Sequence, residues 1–166
     1  MGSTGNHLDR RRAREVGLVD AALTRLKAHF GWTSLKIVGQ SGGGHLVAAL
    51  MARRSDIDCA VIASGNTAVA QRNRENGWPR DIAGHADFFD PIDFVDDVAR
   101  HPPQKVIVLT DPTDARVTAS VQTAYVDALR KTGVAVDHRL MAAAGPLHHD
   151  LQLPGILAAF TYLSTK

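Results

Sequence analysis

Cysteine is nearly absent from this chain, because Cys59 is the only one among its 166 residues. A lone cysteine cannot form an internal disulfide, so the sequence excludes a disulfide-stapled scaffold and suits a reducing compartment. Cys59 begins the apolar run 59–63. We expect it to act there as a small buried hydrophobic side chain.

Net charge and long apolar runs are also lacking. The formal net charge at pH 7 is only +2. No apolar run approaches the roughly 18 residues that would cross a bilayer, and residues 1–7 lack the apolar core of a signal peptide. We therefore predict no membrane partner and, by default, a cytoplasmic location.

Charge is concentrated only in the arginines Arg10, Arg11, Arg12 and Arg14. No aromatic residues are interleaved with this run and no nucleic-acid-binding motif surrounds it, so we predict no nucleic-acid partner. The run is typical of a solvated helix start. The alternative interpretation is a contact with an anion or a partner.

The apolar content, 45% of residues, is that of a globular protein, and the length suits one domain over residues 1–166. Helical spacing of apolar residues predicts a first helix from Val16 to Phe30 that stops at Gly31. The remaining predicted elements are strands at 35–38, 57–63, 106–109 and 134–140, and helices at 45–53, 121–129 and 156–163. Strands alternating with helices predict an α/β fold with a parallel sheet and helices on both faces.

Residues 65–85 are polar and irregular. They predict a loop of the kind in which substrate-facing side chains often lie. Trp78, Phe88 and Phe89 are candidates either for lining an apolar pocket or for local packing.

Residues 39–43 read Gly-Gln-Ser-Gly-Gly between a predicted strand and a predicted helix. Gly-x-Ser-x-Gly in this setting is the nucleophile elbow, in which glycines two residues on either side of the serine let the strand and helix pass closely. We predict Ser41 as a nucleophile. The N–H of Gly42 is the predicted oxyanion donor.

A serine nucleophile needs a histidine base and a carboxylate that orients the imidazole. Asp111 and Asp114 follow the third predicted strand, and His148 and His149 follow the fourth. Carboxyl ends of parallel strands meet at one edge of the sheet, so these side chains are expected near Ser41. A simple helix-capping role for Asp114 is the alternative.

On these residues the chain resembles the carboxyl-terminal portion of an α/β-hydrolase of the prolyl-oligopeptidase-like and esterase type. Residues 111–117 are similar to the family's Gly-x-x-Asp-x-x-Val loop, with Asp111 in place of the glycine. The resemblance implies Asp114 as the acid, with Asp111 as its rival. It implies a base just after the last strand; the residues that follow favour His149, whereas counting from Gly145 favours His148.

The resemblance implies a serine hydrolase that cleaves an ester, thioester or peptide bond in a small-molecule or peptide acyl substrate. It implies no cofactor. His148, His149 and Asp150 lack the spacing of metal ligands, so we predict no metal site. A catalytically silent α/β interaction module is the second interpretation.

In the full fold of that family, several strands and a glycine-rich loop precede the first helix predicted here. Residues 2–5 are similar to the end of that loop, which normally supplies the second oxyanion donor. We therefore expect an amino-terminally truncated domain. The alternative is a genuine short protein. In both cases strand 35–38 would form an exposed apolar edge of the sheet, through which the chain could form homo-oligomers.

Overall fold

The computed structural model describes residues 10–79 and 87–150, together with Leu157 and Thr161. Its elements are, in chain order, α1 (Ala13–Phe30), β1 (Leu35–Gln40), α2 (Gly42–Met51), β2 (Ile57–Ala63), α3 (Val69–Glu75), a 3-10 turn (Pro91–Phe94), α4 (Val95–Arg100), β3 (Lys105–Thr110), α5 (Ala119–Lys131) and β4 (Val136–Leu140).

The described strands form one parallel sheet in the order β1-β2-β3-β4. A helix crosses over between each strand and the next, as parallel pairing requires. The structure thus confirms the predicted α/β fold. Among the described residues β1 pairs only with β2 and forms one edge of the sheet, where Val38 is 40% exposed.

One face of the sheet packs against the described helices. It carries Ala60, Ile62, Val106 and Val108. Met51 of α2 and Tyr125 of α5 are buried in the same cluster. Full burial of a large apolar side chain stabilises a fold by roughly 1.5–3 kcal/mol, so this cluster holds α2 and α5 against the central strands.

The opposite face of the sheet is also buried, as the unalternating apolar strands predict. Its cluster consists of Cys59, Val61, Ala63, Ile107 and Leu109. None of the helices α1–α5 contributes a side chain to this cluster within the described part of the chain. The helix predicted at 156–163 falls almost wholly outside the described residues.

Helix α1 ends at the predicted glycine. Gly31 adopts φ 68°, and its N–H donates to the carbonyl of Lys27. Glycine suits this left-handed C-terminal position because it has no Cβ.

The predicted loop at 65–85 is wrong in part, because it contains α3. The N-terminus of α3 is capped by Asp90, whose carboxylate accepts the N–H groups of Val69 and Ala70 at 2.8 Å each. That cap comes from 20 or so positions further along the chain, because the residue at the N-cap position itself, Ala68, has no side chain that can cap.

Other bounds also differ from the prediction. The sequence patterns missed α4 and the 3-10 turn before it. Helix α2 begins three residues early, at Gly42, where glycines of low helix propensity conceal the first turn. Strand β4 begins at Val136 rather than at residue 134, after a turn in which Gly133 has φ 88°.

No helix in the described part of the chain combines the length and apolar character needed to cross a membrane.

Candidate active site

Ser41 lies at the tight turn between β1 and α2. Its backbone has φ 55° and ψ −114°, a conformation that costs a non-glycine residue of order 1–3 kcal/mol. The Ser41 N–H donates to the Ala63 carbonyl at 2.9 Å, and the Ser41 carbonyl accepts the His45 N–H at 3.1 Å. Strand β2 and helix α2 therefore hold the strained turn at the carboxyl edge of the sheet.

Close packing around this turn depends on glycine, although not on the pair that the motif suggests. A Cβ at Gly39 would overlap the backbone carbonyl of Gly43, and a Cβ at Gly44 would lie 2.8 Å from the Cα of Gly65. A Cβ at Gly43 itself would meet nothing within 4 Å. The prediction that both flanking glycines permit the close approach is therefore wrong for Gly43, and Gly44 has that role.

Three predicted side chains meet at the turn. The Ser41 Oγ lies 2.8 Å from His149 Nε2, and His149 Nδ1 lies 2.9 Å from Asp114 Oδ2. His149 is 5% exposed and Asp114 4%. With Nδ1–H donating to the carboxylate, Nε2 accepts the hydrogen bond of the serine hydroxyl.

The Asp114 carboxylate is held by the loop after β3. Its Oδ1 accepts the N–H groups of Arg116 and Val117 at 2.8 and 2.9 Å. Burial opposes ionisation, but the hydrogen bonds from His149 and from these two N–H groups hold the pKa of Asp114 below its usual range. The N-cap of α5 is Thr118, so the helix-capping interpretation of Asp114 is wrong.

The two rival residues form a second pair. His148 Nδ1 lies 3.7 Å from Asp111 Oδ2, and the His148 side chain is 55% exposed. The Asp111 carboxylate accepts hydrogen bonds from the Ala143 N–H and from the N–H and hydroxyl of Thr113. The Ala143 hydrogen bond, joined by those from Thr113, outweighs burial and lowers the pKa of Asp111. Asp111 thus ties the loop after β4 to the loop after β3.

Gln40, which precedes Ser41, is a site residue that the sequence patterns do not predict. Its Nε2 donates to the backbone carbonyl of His149 at 2.9 Å. This bond joins the end of β1 to the loop that carries His149. No sequence signal identifies it, because the elbow motif leaves this position unrestricted.

A cavity of about 70 Å³ opens beside the serine. Its lining residues are Arg10, Arg11, Ser41, Gly42, Asn66, Arg72, Arg116, Val117 and His149. Gly42 is the first residue of α2, where backbone N–H groups have no partner within the helix. The predicted oxyanion donor therefore borders the same cavity as Ser41.

The aromatic residues of the 65–94 region lie elsewhere. Phe89 stacks on Phe94 at 4.4 Å within a core cluster, and Trp78 lies under the guanidinium of Arg72 at 4.9 Å. Neither lines the cavity beside Ser41, and Phe88 does not line it either. Local packing is the better interpretation of Phe89.

The family model for the prolyl oligopeptidase family matches residues 19–149. The chain belongs to the prolyl oligopeptidase family. The match includes Ser41, Asp114 and His149. No curated protein matches the sequence.

Solved structures support the same fold for this prolyl oligopeptidase family chain. An acylaminoacyl peptidase of Pyrococcus horikoshii is 10% identical with a TM-score of 0.68, over 80% of this chain and 23% of that one. A Pyrococcus furiosus esterase is 10% identical with a TM-score of 0.66, over 91% and 60%. A Klebsiella pneumoniae protein assigned as a dienelactone hydrolase is 14% identical with a TM-score of 0.63, over 91% and 62%.

Such identities establish the α/β-hydrolase fold alone. The chain spans about three fifths of the length of the esterase and of the Klebsiella protein, as their covered shares of 60% and 62% show.

His45 of α2, a possible second base by residue type, is fully buried and its Nδ1 lies 3.1 Å from the Asn66 carbonyl. Burial, reinforced by the charges of Arg11 and Arg10, lowers the pKa of His45 to about 4, despite the Asn66 hydrogen bond. It is therefore a neutral core residue near pH 7. The described residues contain no group of three or more side chains that could hold a metal ion.

The arginine run departs from its expected solvated state. Helix α1 begins only at Ala13, and Arg11 is 5% exposed with its N–H donating to the Glu15 carboxylate at 2.6 Å. Arg10 and Arg11 both line the cavity beside Ser41. The interpretation as a solvated helix start is therefore wrong for Arg11, which is buried.

Proposed function

We propose that the protein is a serine hydrolase that cleaves an ester, a thioester or a peptide bond through an acyl-enzyme. The supporting observation is the continuous hydrogen-bonded chain from Ser41 Oγ through His149 to Asp114, with links of 2.8 and 2.9 Å. Membership of the prolyl oligopeptidase family supports the same class of reaction.

In the first half of the reaction, His149 Nε2 accepts the hydroxyl proton while Ser41 Oγ bonds to the carbonyl carbon. The tetrahedral intermediate collapses, its bond to the leaving group breaks, and His149 returns the proton to that group. A water molecule then repeats the sequence on the acyl-enzyme and releases the acid and the free serine.

Asp114 and Gly42 stabilise the charges that develop. The ionised carboxylate of Asp114 keeps the Nδ1–H tautomer and stabilises the imidazolium of His149. The N–H of Gly42, at the positive end of α2, donates to the oxyanion.

A catalytically silent module that pairs through its sheet edge is the second candidate. The observation that favours it is the edge of β1, where the described residues provide a partner on one side only and Val38 is 40% exposed. An unpaired apolar edge is a template for strand pairing with another chain, including a second copy.

A fluorophosphonate probe distinguishes the two candidates, because it labels only a serine that is activated by a base. We expect labelling of the wild-type chain and of Ser55→Ala, a change at an exposed serine outside the cavity. Ser41→Ala is expected to abolish labelling and to lower ester turnover by at least ~10³-fold. A folded, unlabelled wild-type protein would support the silent module, and labelling of Ser41→Ala would refute the assigned nucleophile.

A further inference from the structure

Positive charge surrounds the space beside the nucleophile. Four of the nine residues that line the cavity are arginines, and no aspartate or glutamate lines it. Arginine is the side chain best suited to bind a carboxylate, because its planar guanidinium donates two parallel hydrogen bonds. The lining therefore favours an anionic ligand group.

Two of the arginines have structural roles. The Arg72 Nε donates to the Arg116 carbonyl at 2.7 Å, and its guanidinium lies over Trp78. The N–H of Arg11 donates to Glu15. These contacts anchor the segments that carry the other two arginines of the cavity, Arg116 and Arg10.

Arg10 lies over the start of α2. A Cβ added at Gly42 would be 2.8 Å from its guanidinium Nη2, so the charged group packs against the first residue of the helix. Neither Arg10 nor Arg116 forms an ion pair with any residue that the structure describes. Both guanidinium groups can therefore receive an anion without breaking an existing pair.

Asn66 supplies a neutral hydrogen-bonding group at the same cavity. Its side chain is buried, with the residue only 4% exposed, and neither its amide nitrogen nor its amide oxygen has a hydrogen-bond partner among the described residues. Buried polar atoms without partners cost free energy, and native proteins rarely keep them. Asn66 therefore brings an unpaired amide to the wall of the cavity, where a bound ligand could become its partner.

We propose that this cavity is a carboxylate-binding subsite, in which Arg10 and Arg116 hold an anionic group of the substrate and Asn66 donates a further hydrogen bond. The proposal rests on the serine hydrolase function above and narrows its substrates to acyl compounds that carry a carboxylate near the scissile bond. The small volume of the cavity, about 70 Å³, suits a short group rather than an extended chain.

Two matched pairs of esters test the subsite on the full chain. Benzyl hydrogen adipate and benzyl hexanoate differ by a carboxylate on the acyl side, and 3-carboxyphenyl butyrate and phenyl butyrate differ by one on the leaving group. We expect the anionic ester of at least one pair to have a kcat/KM higher by roughly tenfold or more, as for hydrogen bonds between charged groups. The pair that responds identifies the side of the substrate that the subsite binds.

Arg10→Gln and Arg116→Gln should each lower the ratio of kcat/KM for the anionic ester to kcat/KM for its neutral partner towards one. Arg100→Gln, at an exposed arginine of α4 outside the cavity, is the matched control and should retain the wild-type ratio. Equal loss on both esters of a pair in Arg10→Gln would overturn the proposal, because Arg10 would then act on the oxyanion. Turnover of neutral esters without any preference for the anionic ones would also overturn it.

Binding measured without turnover separates this proposal from the hydrolase function. Calorimetry with Ser41→Ala should show that at least one of the anionic esters binds with a Kd that rises roughly tenfold when Arg116→Gln is added. If the wild-type chain binds that ester in this way and hydrolyses none, the hydrolase function fails and the subsite stands. If Ser41→Ala binds neither anionic ester, the subsite is refuted.

Discussion

His149–Asp114 and His148–Asp111 are two histidine–aspartate pairs built from the same two loops, yet they lie in different surroundings. The first pair is buried, and His149 Nε2 lies 2.8 Å from the Ser41 hydroxyl. In the second, the His148 side chain is 55% exposed and the two groups are 3.7 Å apart.

The carboxylates of the two pairs also differ in how their oxygens are used. Asp114 accepts both backbone N–H groups at Oδ1, which leaves Oδ2 for His149 at 2.9 Å. Asp111 uses Oδ1 for Thr113 and Oδ2 for Ala143. The same residue types therefore form a hydrogen-bonded chain to Ser41 in one pair and tether two loops in the other.

The largest contrast is expected between the two histidines. His149→Ala should lower kcat by at least ~10³-fold, because the serine loses its base. His148→Ala should retain nearly wild-type turnover, since its ring does not contact Ser41. Steady-state ester hydrolysis measures both, with the thermal midpoint as a check on folding. A larger loss in His148→Ala would assign the base to His148.

Substitutions at the two aspartates should affect different properties, kcat for Asp114 and the free energy of unfolding for Asp111. Asp114→Asn keeps an oxygen for the N–H groups of Arg116 and Val117 but turns an amide towards His149, so kcat should fall by up to ~10⁴-fold with little change in stability. Asp111→Asn must turn its amide against one backbone N–H, which should cost about 1–3 kcal/mol of unfolding free energy while kcat is retained. Calorimetry and ester turnover on the same samples test this, and a greater kcat loss in Asp111→Asn would make Asp111 the acid.

A substitution at Gln40 tests whether the position of His149 depends on the hydrogen bond that its carbonyl accepts from the Gln40 amide. Gln40→Leu removes the hydrogen bond to the His149 carbonyl, so we expect kcat to fall about tenfold with KM nearly unchanged, as for a displaced base. Gln71→Leu is the control, because its amide pairs with Glu75 on the exposed face of α3. Equal kinetics of the two variants would show that the Gln40 bond does not position the base.

The smallest expected effect is on the pH dependence of stability. The pKa of Asp111 is lowered in the folded state, so its contribution is present above the unfolded value of about 3.9 and is lost as the pH falls below it. The thermal midpoint of Asp111→Asn should therefore fall less than that of the wild type between pH about 5 and about 3. Parallel curves would contradict a stabilising role for this carboxylate.

Local patterns in the sequence were sufficient for much of the fold. Strand β2 has the predicted bounds, and α1 ends at Gly31, because a continuous apolar run and a left-handed glycine are signals carried by neighbouring residues. Helix α3 was missed because its cap, Asp90, lies far along the chain. Contacts of that kind become visible only when the chain is folded.

For the candidate site, the sequence by itself determined the elbow at Ser41 and the order in which the serine, the aspartates and the histidines follow one another. It did not decide between His148 and His149, because adjacent residues share the same local signals and differ only in the direction of their side chains. The tertiary structure directs His149 towards Ser41 through the loop that Gln40 and Asp111 hold. It also brings Arg10 and Arg116 to the same cavity, because spatial proximity between distant segments depends on how the whole chain packs.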